Sequence, residues 1–266
     1  LKINIYVDTG MNGIGINFND AASEIINIAR LPGLETEGIF THFACAGNKD
    51  DLYTQLQWDR FNKVITGVKK YKIPVRHYHC ANSAAFFRHK NMHLDMVRIG
   101  IGLYGCYPSR EMNNQIKLLP VMSLKSRIIF LKKVSAGTPV SYGRTYFAPD
   151  DTTIATVPLG YGDGYNRLLS NKGFMLVQGR RVPIAGRVCM DHTMLDVGKI
   201  PFVQEGDEVV AFGRQGHGEL DVEEIAEQLG TISYEVLCNI GSRVPRVYWR
   251  DGRVESIRFA GSCHSI

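Results

Sequence analysis

The chain has 266 residues, 44% of them hydrophobic and 21% charged, with a formal net charge of +5. That composition suits a soluble globular protein with material for one large or two smaller domains. Lys and Arg alternate with acids and no basic block carries interleaved aromatics, which argues against nucleic acid; the apolar runs are too short and too broken to cross a bilayer.

The first run, Ile3 to Val7, alternates like a buried strand. A core strand at the very start suggests that a further segment precedes it. After the loop Asp8 to Gly13, Asp20 is expected to cap a helix whose Ala22, Ile25, Ile26 and Ala29 share one face, with Pro32-Gly33 ending it. Gly38 to Phe43 reads as a second strand. Leu52 to Tyr71 reads as a helix with Leu56, Phe61, Ile65 and Val68 toward the core and Gln and Lys opposite. Arg76 to Cys80 is a third strand, a short helix follows Ala81-Asn82-Ser83, and Met96 to Tyr104 is a fourth strand. Strands alternating with helices predict a parallel sheet or barrel. Asp8, His42, Asn82, Ser83 and Arg98 fall at the C-terminal ends of the strands, the edge that carries the chemistry in βα barrels. Four repeats make about half of an eight-stranded barrel.

Beyond about residue 115 the pattern changes. Val121 to Val134 reads as one long strand, and Thr152 to Leu159, Phe174 to Val177, Arg181 to Ala185 and Glu208 to Phe212 as shorter ones. Gln178-Gly179 and Asp251-Gly252 are hairpin turns, and only Asp221 to Leu229 looks helical. The fold class is therefore α/β plus β: residues 1–116 form the C-terminal portion of a (β/α)8 barrel, and residues 117–266 a mostly-β domain. The six Cys form no C-x-x-C pair. That speaks for reduced thiols in the cytoplasm, with no disulfide framework and no metal site.

Taken singly, the polar residues leave two readings each. His42 is an acid/base or a hydrogen-bonded core His. Arg98, between Val97 and Ile99, faces a ligand anion or a structural acid such as Asp95 or Asp8. Asn82-Ser83 and Gly100-Ile101 offer backbone N–H groups to a phosphate or are ordinary turns. Tyr142, in Val140-Ser141-Tyr142-Gly143, is a base or a packing residue.

Together these segments resemble the alanine racemase family. The likeness rests on Asp8-Thr9-Gly10-Met11, Thr41-His42-Phe43, His79-Cys80-Ala81-Asn82-Ser83, Met96-Val97-Arg98-Ile99-Gly100, Val140-Ser141-Tyr142-Gly143, Gly160-Tyr161-Gly162-Asp163-Gly164-Tyr165, Gly186-Arg187-Val188-Cys189-Met190-Asp191 and Arg243-Val244-Pro245-Arg246. They stand in family order over nearly the whole chain.

The resemblance implies an isomerase that interconverts L- and D-alanine through an external aldimine of pyridoxal 5'-phosphate and a pair of bases. Such an enzyme supplies D-alanine for the bacterial cell wall, works in the cytoplasm, and forms a homodimer with shared active sites. It implies Tyr142 as one catalytic base, reaching from the β domain into the partner's barrel. His42 would hydrogen-bond that Tyr, and Arg98 would face the pyridine nitrogen. Ser83, Gly100 and Ile101, with Asn82 beside them, would bind the phosphate. The Met190 N–H would take the substrate carboxylate, with Tyr161, Arg187 and Asp191 around the entrance. A small-molecule amino acid is the implied partner, with neither nucleic acid nor a membrane segment in this chain.

Three departures from the family qualify this. The family segment bearing the Schiff-base Lys has no counterpart in the 266 residues, so the chain by itself is expected not to racemise; a folded, non-catalytic remnant is the alternative. Gly13 stands where the family carries an Arg that contacts cofactor and carboxylate, and Tyr6 where many members have a Lys supporting that Arg. Ser242, assigned to the cofactor side, stands where some members have a Tyr. A smaller residue there admits serine beside alanine, as in serine or broad-specificity racemases.

Overall fold

The computed structural model describes residues 1–112 and 116–259, and the backbone of residues 262–265. The chain divides into two compact units, Leu1–Val121 and Met122–Ile266.

The first unit is built on four parallel strands in the order β2-β1-β3-β4: β1 (Lys2–Asp8), β2 (Ile16–Asn17), β3 (Glu35–Phe40) and β4 (His77–His79). Parallel strands need crossovers: α1 (Ala21–Ala29) leads from β2 to β3 and α2 (Leu52–Lys70) from β3 to β4, and the short α3 (Ser83–Arg88) follows β4. Both crossover helices lay an apolar stripe on the sheet. Ile25 of α1 and Phe61, Val64 and Val68 of α2 are buried with Ile5, Val7 and Ile39 of the strands. The register of β1 against β3 shifts by one residue: Ile3 lies opposite Thr36 but Asn4 opposite Gly38, leaving Glu37 as a bulge.

Three expectations for this unit are corrected. Asp20 sits before α1, but its side chain caps nothing. Leu56 is exposed, and Gln57 is fully buried in its place. Met96 to Gly100 is not a strand. Asp95 N–H donates to the Tyr78 carbonyl and Arg98 N–H to the Ala81 carbonyl, so the segment runs beside β4. A 3-10 turn at Ile101–Tyr104 then closes it, with Gly105 left-handed behind. The sheet reaches four strands through β2, which the sequence analysis did not foresee.

The second unit consists of antiparallel sheets joined by tight turns. β5 (Leu124–Arg127) and β6 (Phe130–Val134) lead to the short pair β7 (Pro139–Val140) and β8 (Tyr146–Phe147), then to β9 (Thr152–Val157), β10 (Phe174–Val177), β11 (Arg180–Pro183), β12 (Thr193–Asp196), β13 (Glu208–Gln215) and β14 (Gly218–Leu220). Helices α4 (Val222–Leu229) and α5 (Ser233–Cys238) follow, and β15 (Arg246–Arg250), β16 (Arg253–Phe259) and β17 (Ser262–Ser265) end the chain as a separate sheet.

Val121 to Val134 is not one strand. β5 pairs with β13 and β6 with β9, and the change of sheet falls at Ile128-Ile129. There the Ile128 N–H donates to the Asp207 carbonyl and the next N–H, of Ile129, to the Thr156 carbonyl. α5, which the sequence analysis missed, is a single short amphipathic piece that buries Val236 and Leu237. Both hairpin turns have the left-handed pairs that such loops require: Gln178 and Gly179 at φ 50° and 73°, Asp251 and Gly252 at 50° and 75°.

Candidate active site

In the first unit the C-terminal edge of the sheet carries an aromatic ladder. Tyr6, Phe40 and His79 are register partners on β1, β3 and β4. Their rings stack with centroids 4.8 and 5.1 Å apart. The Arg98 guanidinium lies over Phe40, 5.1 Å from its centroid. One of its terminal nitrogens donates to His79 Nδ1 at 2.6 Å; the other donates to the Thr41 carbonyl at 2.8 Å and faces His42 Nδ1 at 3.2 Å.

Neither acid foreseen as a structural partner reaches Arg98. Asp8 accepts from the Gly10 and Asn12 N–H groups, and Asp95 from the Tyr78 N–H. Among the described residues, Arg98 is held by neutral acceptors alone.

A guanidinium only donates, so each imidazole must turn a lone pair toward it. The His79 proton therefore sits on Nε2, where Asn4 Oδ1 lies 3.3 Å away. Burial first, and then Arg98, push His79 down to about 4 and lower His42 as well. Both rings are neutral at pH 7, and His42 keeps an Nε2–H to donate. A free His protonates near 6.5, so the unfolded chain takes up this proton before the folded one does. The stability that His79 contributes is complete above about pH 6.5 and is lost as pH falls toward about 4. A proton-NMR titration is expected to show one ring with a midpoint near 4; all eight His titrating above pH 6 would contradict this.

Beneath this edge runs a buried polar network. Gln57 accepts the Ala44 N–H at 2.9 Å, and its Nε2 donates to the His42 carbonyl at 3.0 Å and to Thr9 Oγ1 at 3.2 Å. The Thr9 and Thr41 hydroxyls meet at 2.7 Å. Gln57→Leu strands several of these groups and is expected to cost about 2–3 kcal/mol in urea unfolding. A loss below about 0.5 kcal/mol, the usual surface value, would contradict the network's role.

Ser83 Oγ accepts the Gly100 N–H at 2.9 Å and the Gly102 N–H at 3.3 Å. The hydroxyl, buried, keeps its own proton to donate. The Ile101 N–H finds no acceptor among the described residues, and a Cβ added at Gly100 would meet nothing within 4 Å. Open space beside unspent donors fits an oxyanion such as a phosphate. Asn82 is engaged already: Oδ1 accepts the Ala85 N–H at 3.0 Å, capping α3 (Ser83–Arg88), and Nδ2 reaches the Phe43 carbonyl at 3.4 Å. In the loop after β1, Gly13 has ordinary φ and open space at its Cβ, and Tyr6 is committed to the ladder.

In the second unit four loops converge. Tyr142 follows β7 and is 73% exposed. Tyr161 and Gly162 donate their N–H groups to the carbonyls of Cys189 and Met190, at 3.0 and 2.9 Å. Arg243 closes the fourth side, donating at 2.8 Å to both Asp163 and Asp191. The Met190 N–H is left without an acceptor among the described residues. The Arg187 guanidinium lies against Gly143, and Ser242 is exposed beside Arg243.

The structure thus gathers His42, Ser83, Arg98, Gly100 and Ile101 at one edge of the first unit, and Tyr142, Tyr161, Arg187, Met190 and Asp191 in adjoining loops of the second. His79, Gln57, Ser141 and Arg243 were missed as site residues. The alternation His77-Tyr78-His79 was the available signal for His79. No pattern marked Gln57, which looked like a surface residue.

Family models match both units: alanine racemase, N-terminal domain, over residues 1–108, and alanine racemase, C-terminal domain, over residues 121–248. A curated alanine racemase of Halothermothrix orenii is 49% identical over 247 residues, 93% of this chain and 65% of the relative. One of Desulfosudis oleivorans is 49% identical over 258 residues, 93% of this chain and 66% of the relative. Among solved structures, an alanine racemase of Clostridium difficile 630 superposes with a TM-score of 0.93 at 38% identity, covering 98% of this chain and 68% of that one. One of Bacillus anthracis with bound L-Ala-P gives 0.90 at 37%, covering 97% and 67%. The chain spans about two thirds of the length of the curated relatives it matches. The fold class read from the sequence, barrel portion followed by β domain, agrees with these neighbours. Among the described residues, no helix is long and apolar enough to cross a membrane.

Proposed function

The chain belongs to the alanine racemase family, and on that premise we propose that it forms the larger part of a pyridoxal-phosphate-dependent isomerase that interconverts L- and D-alanine. The observation that carries this reading is Arg98, held by two neutral imidazoles and a carbonyl with no carboxylate among the described residues to offset it. A donor that keeps its proton suits the pyridine nitrogen of a cofactor whose ring must not be protonated. Such a partner limits delocalisation into the ring and discourages transamination.

The Ser83 hydroxyl and the Ile101 N–H would hold the phosphate, with Gly100 leaving room and Asn82 shaping the turn. Bound there, the cofactor would supply the electron sink that acidifies Cα. The rest falls to the chain's own groups. Tyr142 would take or return the Cα proton on one face. A phenol near pKa 10 is a poor base; the His42 Nε2–H and the nearby Arg98 charge would favour its phenolate. The Met190 N–H would bind the carboxylate, with Tyr161, Arg187 and Asp191 at the entrance. The Schiff-base Lys, as base on the other face, belongs to a family segment without a match in these 266 residues. We place the enzyme in the cytoplasm, as a homodimer in which Tyr142 serves the partner's barrel, supplying D-alanine to the cell wall.

D-Alanine formation from L-alanine, with pyridoxal phosphate present and the protein at the full length of its relatives, tests this reading. No D-alanine above the uncatalysed rate would sink it. Exposed, small Ser242 favours serine as a second substrate. A kcat/KM for L-Ser within about tenfold of that for L-Ala would support this, since a roomy pocket rejects a hydroxyl poorly. Gly13→Arg, placed in open space, is expected to leave stability unchanged and to lower KM for alanine about tenfold, the low end for a charged hydrogen bond. An unchanged KM would mean that position 13 does not reach the carboxylate.

A further inference from the structure

The loop that carries Tyr142 has a backbone that its sequence resists. Ser141 sits at φ 67° and ψ 179°. That region belongs essentially to glycine, and other residues occupy it only where their surroundings over-determine it. Arg144 at φ 52° is a second non-glycine residue in the left-handed range, Gly143 between takes φ 72° as glycine readily does, and Tyr142 is not left-handed.

The constraint comes from the 186–191 loop. Ser141 Oγ donates to the Arg187 carbonyl at 2.7 Å and lies 3.8 Å from Cys189 Sγ. Gly186, at φ 88°, admits the close approach; a Cβ there would lie 2.6 Å from Ser141 Cβ and 2.7 Å from the Val140 carbonyl oxygen. The same 186–191 loop carries Met190, whose N–H has no acceptor among the described residues.

We propose that Ser141 is a positioning residue: by tying its strained backbone to Arg187, it fixes the Tyr142 phenol in register with the Met190 N–H. The inference rests on the reading of Tyr142 as base and of Met190 as carboxylate donor. Ser141 has no contact with substrate in this account. It converts two exposed loops into one rigid piece, so that the carboxylate, once held, presents Cα at a set distance from the phenol.

The hydroxyl and the backbone strain at Ser141 separate by substitution. Ser141→Ala removes the hydroxyl and keeps the Cβ that disfavours this φ, so the loop relaxes away. Ser141→Gly removes the hydroxyl but tolerates the φ, so the loop loosens without leaving. In the 266-residue chain, hydrogen exchange at the amides of residues 142–145 is expected to quicken about tenfold or more in Ser141→Ala and less in Ser141→Gly, with exchange elsewhere unchanged. At the full length of the family, Ser141→Ala is expected to lower kcat about 10–100-fold, the scale of an ångström-sized misplacement, with KM for alanine within about twofold because the Met190 loop stays in place. The α-deuterium isotope effect should rise for one enantiomer only, the one whose hydrogen faces Tyr142.

Wild-type exchange and kcat in Ser141→Ala would overturn the proposal. Isotope effects shifting equally for both enantiomers would overturn it too. Tyr142→Phe is the control. If it keeps racemase activity, the reading of Tyr142 fails, while the exchange data still decide whether Ser141 holds the loop. If it abolishes activity and Ser141→Ala changes nothing, only the present inference fails.

Discussion

Tyr142→Phe is expected to cut alanine racemisation about a thousandfold, the middle of the range for losing a general base, with no loss of stability. The side chain is 73% exposed. Its hydroxyl bonds to nothing among the described residues, so its removal leaves no buried group stranded. Surface changes of this kind stay within about 0.5 kcal/mol. The measurement is a pair: initial racemisation rate at saturating alanine, and thermal midpoint. A large rate loss with an unmoved midpoint is the signature of a residue placed for chemistry. A retained rate would return Tyr142 to the role of an ordinary surface aromatic.

Arg98→Leu is expected to fail in the opposite way, in both stability and chemistry. The guanidinium satisfies His79 Nδ1, the Thr41 carbonyl and His42 Nδ1 together. An apolar side chain leaves all three partly buried and unpaired, at about 3 kcal/mol for the group. The His79 titration should move with it. Burial is the main cause that holds this ring down, and Arg98 the second. With the charge gone, the midpoint should climb from about 4 toward the free value. The acid loss of stability that runs from about pH 6.5 down to this midpoint should shrink with it, since folded and unfolded rings then titrate closer together. Arg98→Lys keeps a charge but not the planar fork, and should recover the His79 midpoint better than the activity. Unfolding curves unchanged in Arg98→Leu would show that the guanidinium is not what organises this edge.

What the sequence made legible follows from which forces are local. β1, β10 and the two hairpin turns were readable because alternation and left-handed turn residues act within a few positions. The site edge was readable because His42 and Ser83 follow strands directly. Gln57 was not. Helical periodicity assigns a Gln to water, and only the Ala44 N–H, the carbonyl of His42 and the hydroxyl of Thr9, brought by segments that follow other strands, make its burial favourable. Val121 to Val134 has one alternating pattern, yet Ile128 and Ile129 bond to different sheets, a choice made by the partners β13 and β9. Met96 to Gly100 has strand-like residues, but it forms no ladder: the Arg98 N–H reaches the Ala81 carbonyl, beyond the end of β4, and the Gly100 N–H turns to the Ser83 hydroxyl. Nothing in the letters of Val140-Ser141-Tyr142 announces a left-handed Ser, because the constraint on it arrives from Arg187.

The bulge at Glu37 reaches further than its one residue. Ile3 is paired with Thr36, and an unbroken register would carry Tyr6 to Ile39, a core residue on the opposite face of the strand. The extra residue advances β3 by one step, and only then does Tyr6 meet Phe40, whose own partner on β4 is His79. Since one step of slip reverses every side chain, the site is in effect a vernier. Its rings coincide at a single setting of the strands, and the anchoring of Arg98 reports whether the sheet has closed at that setting.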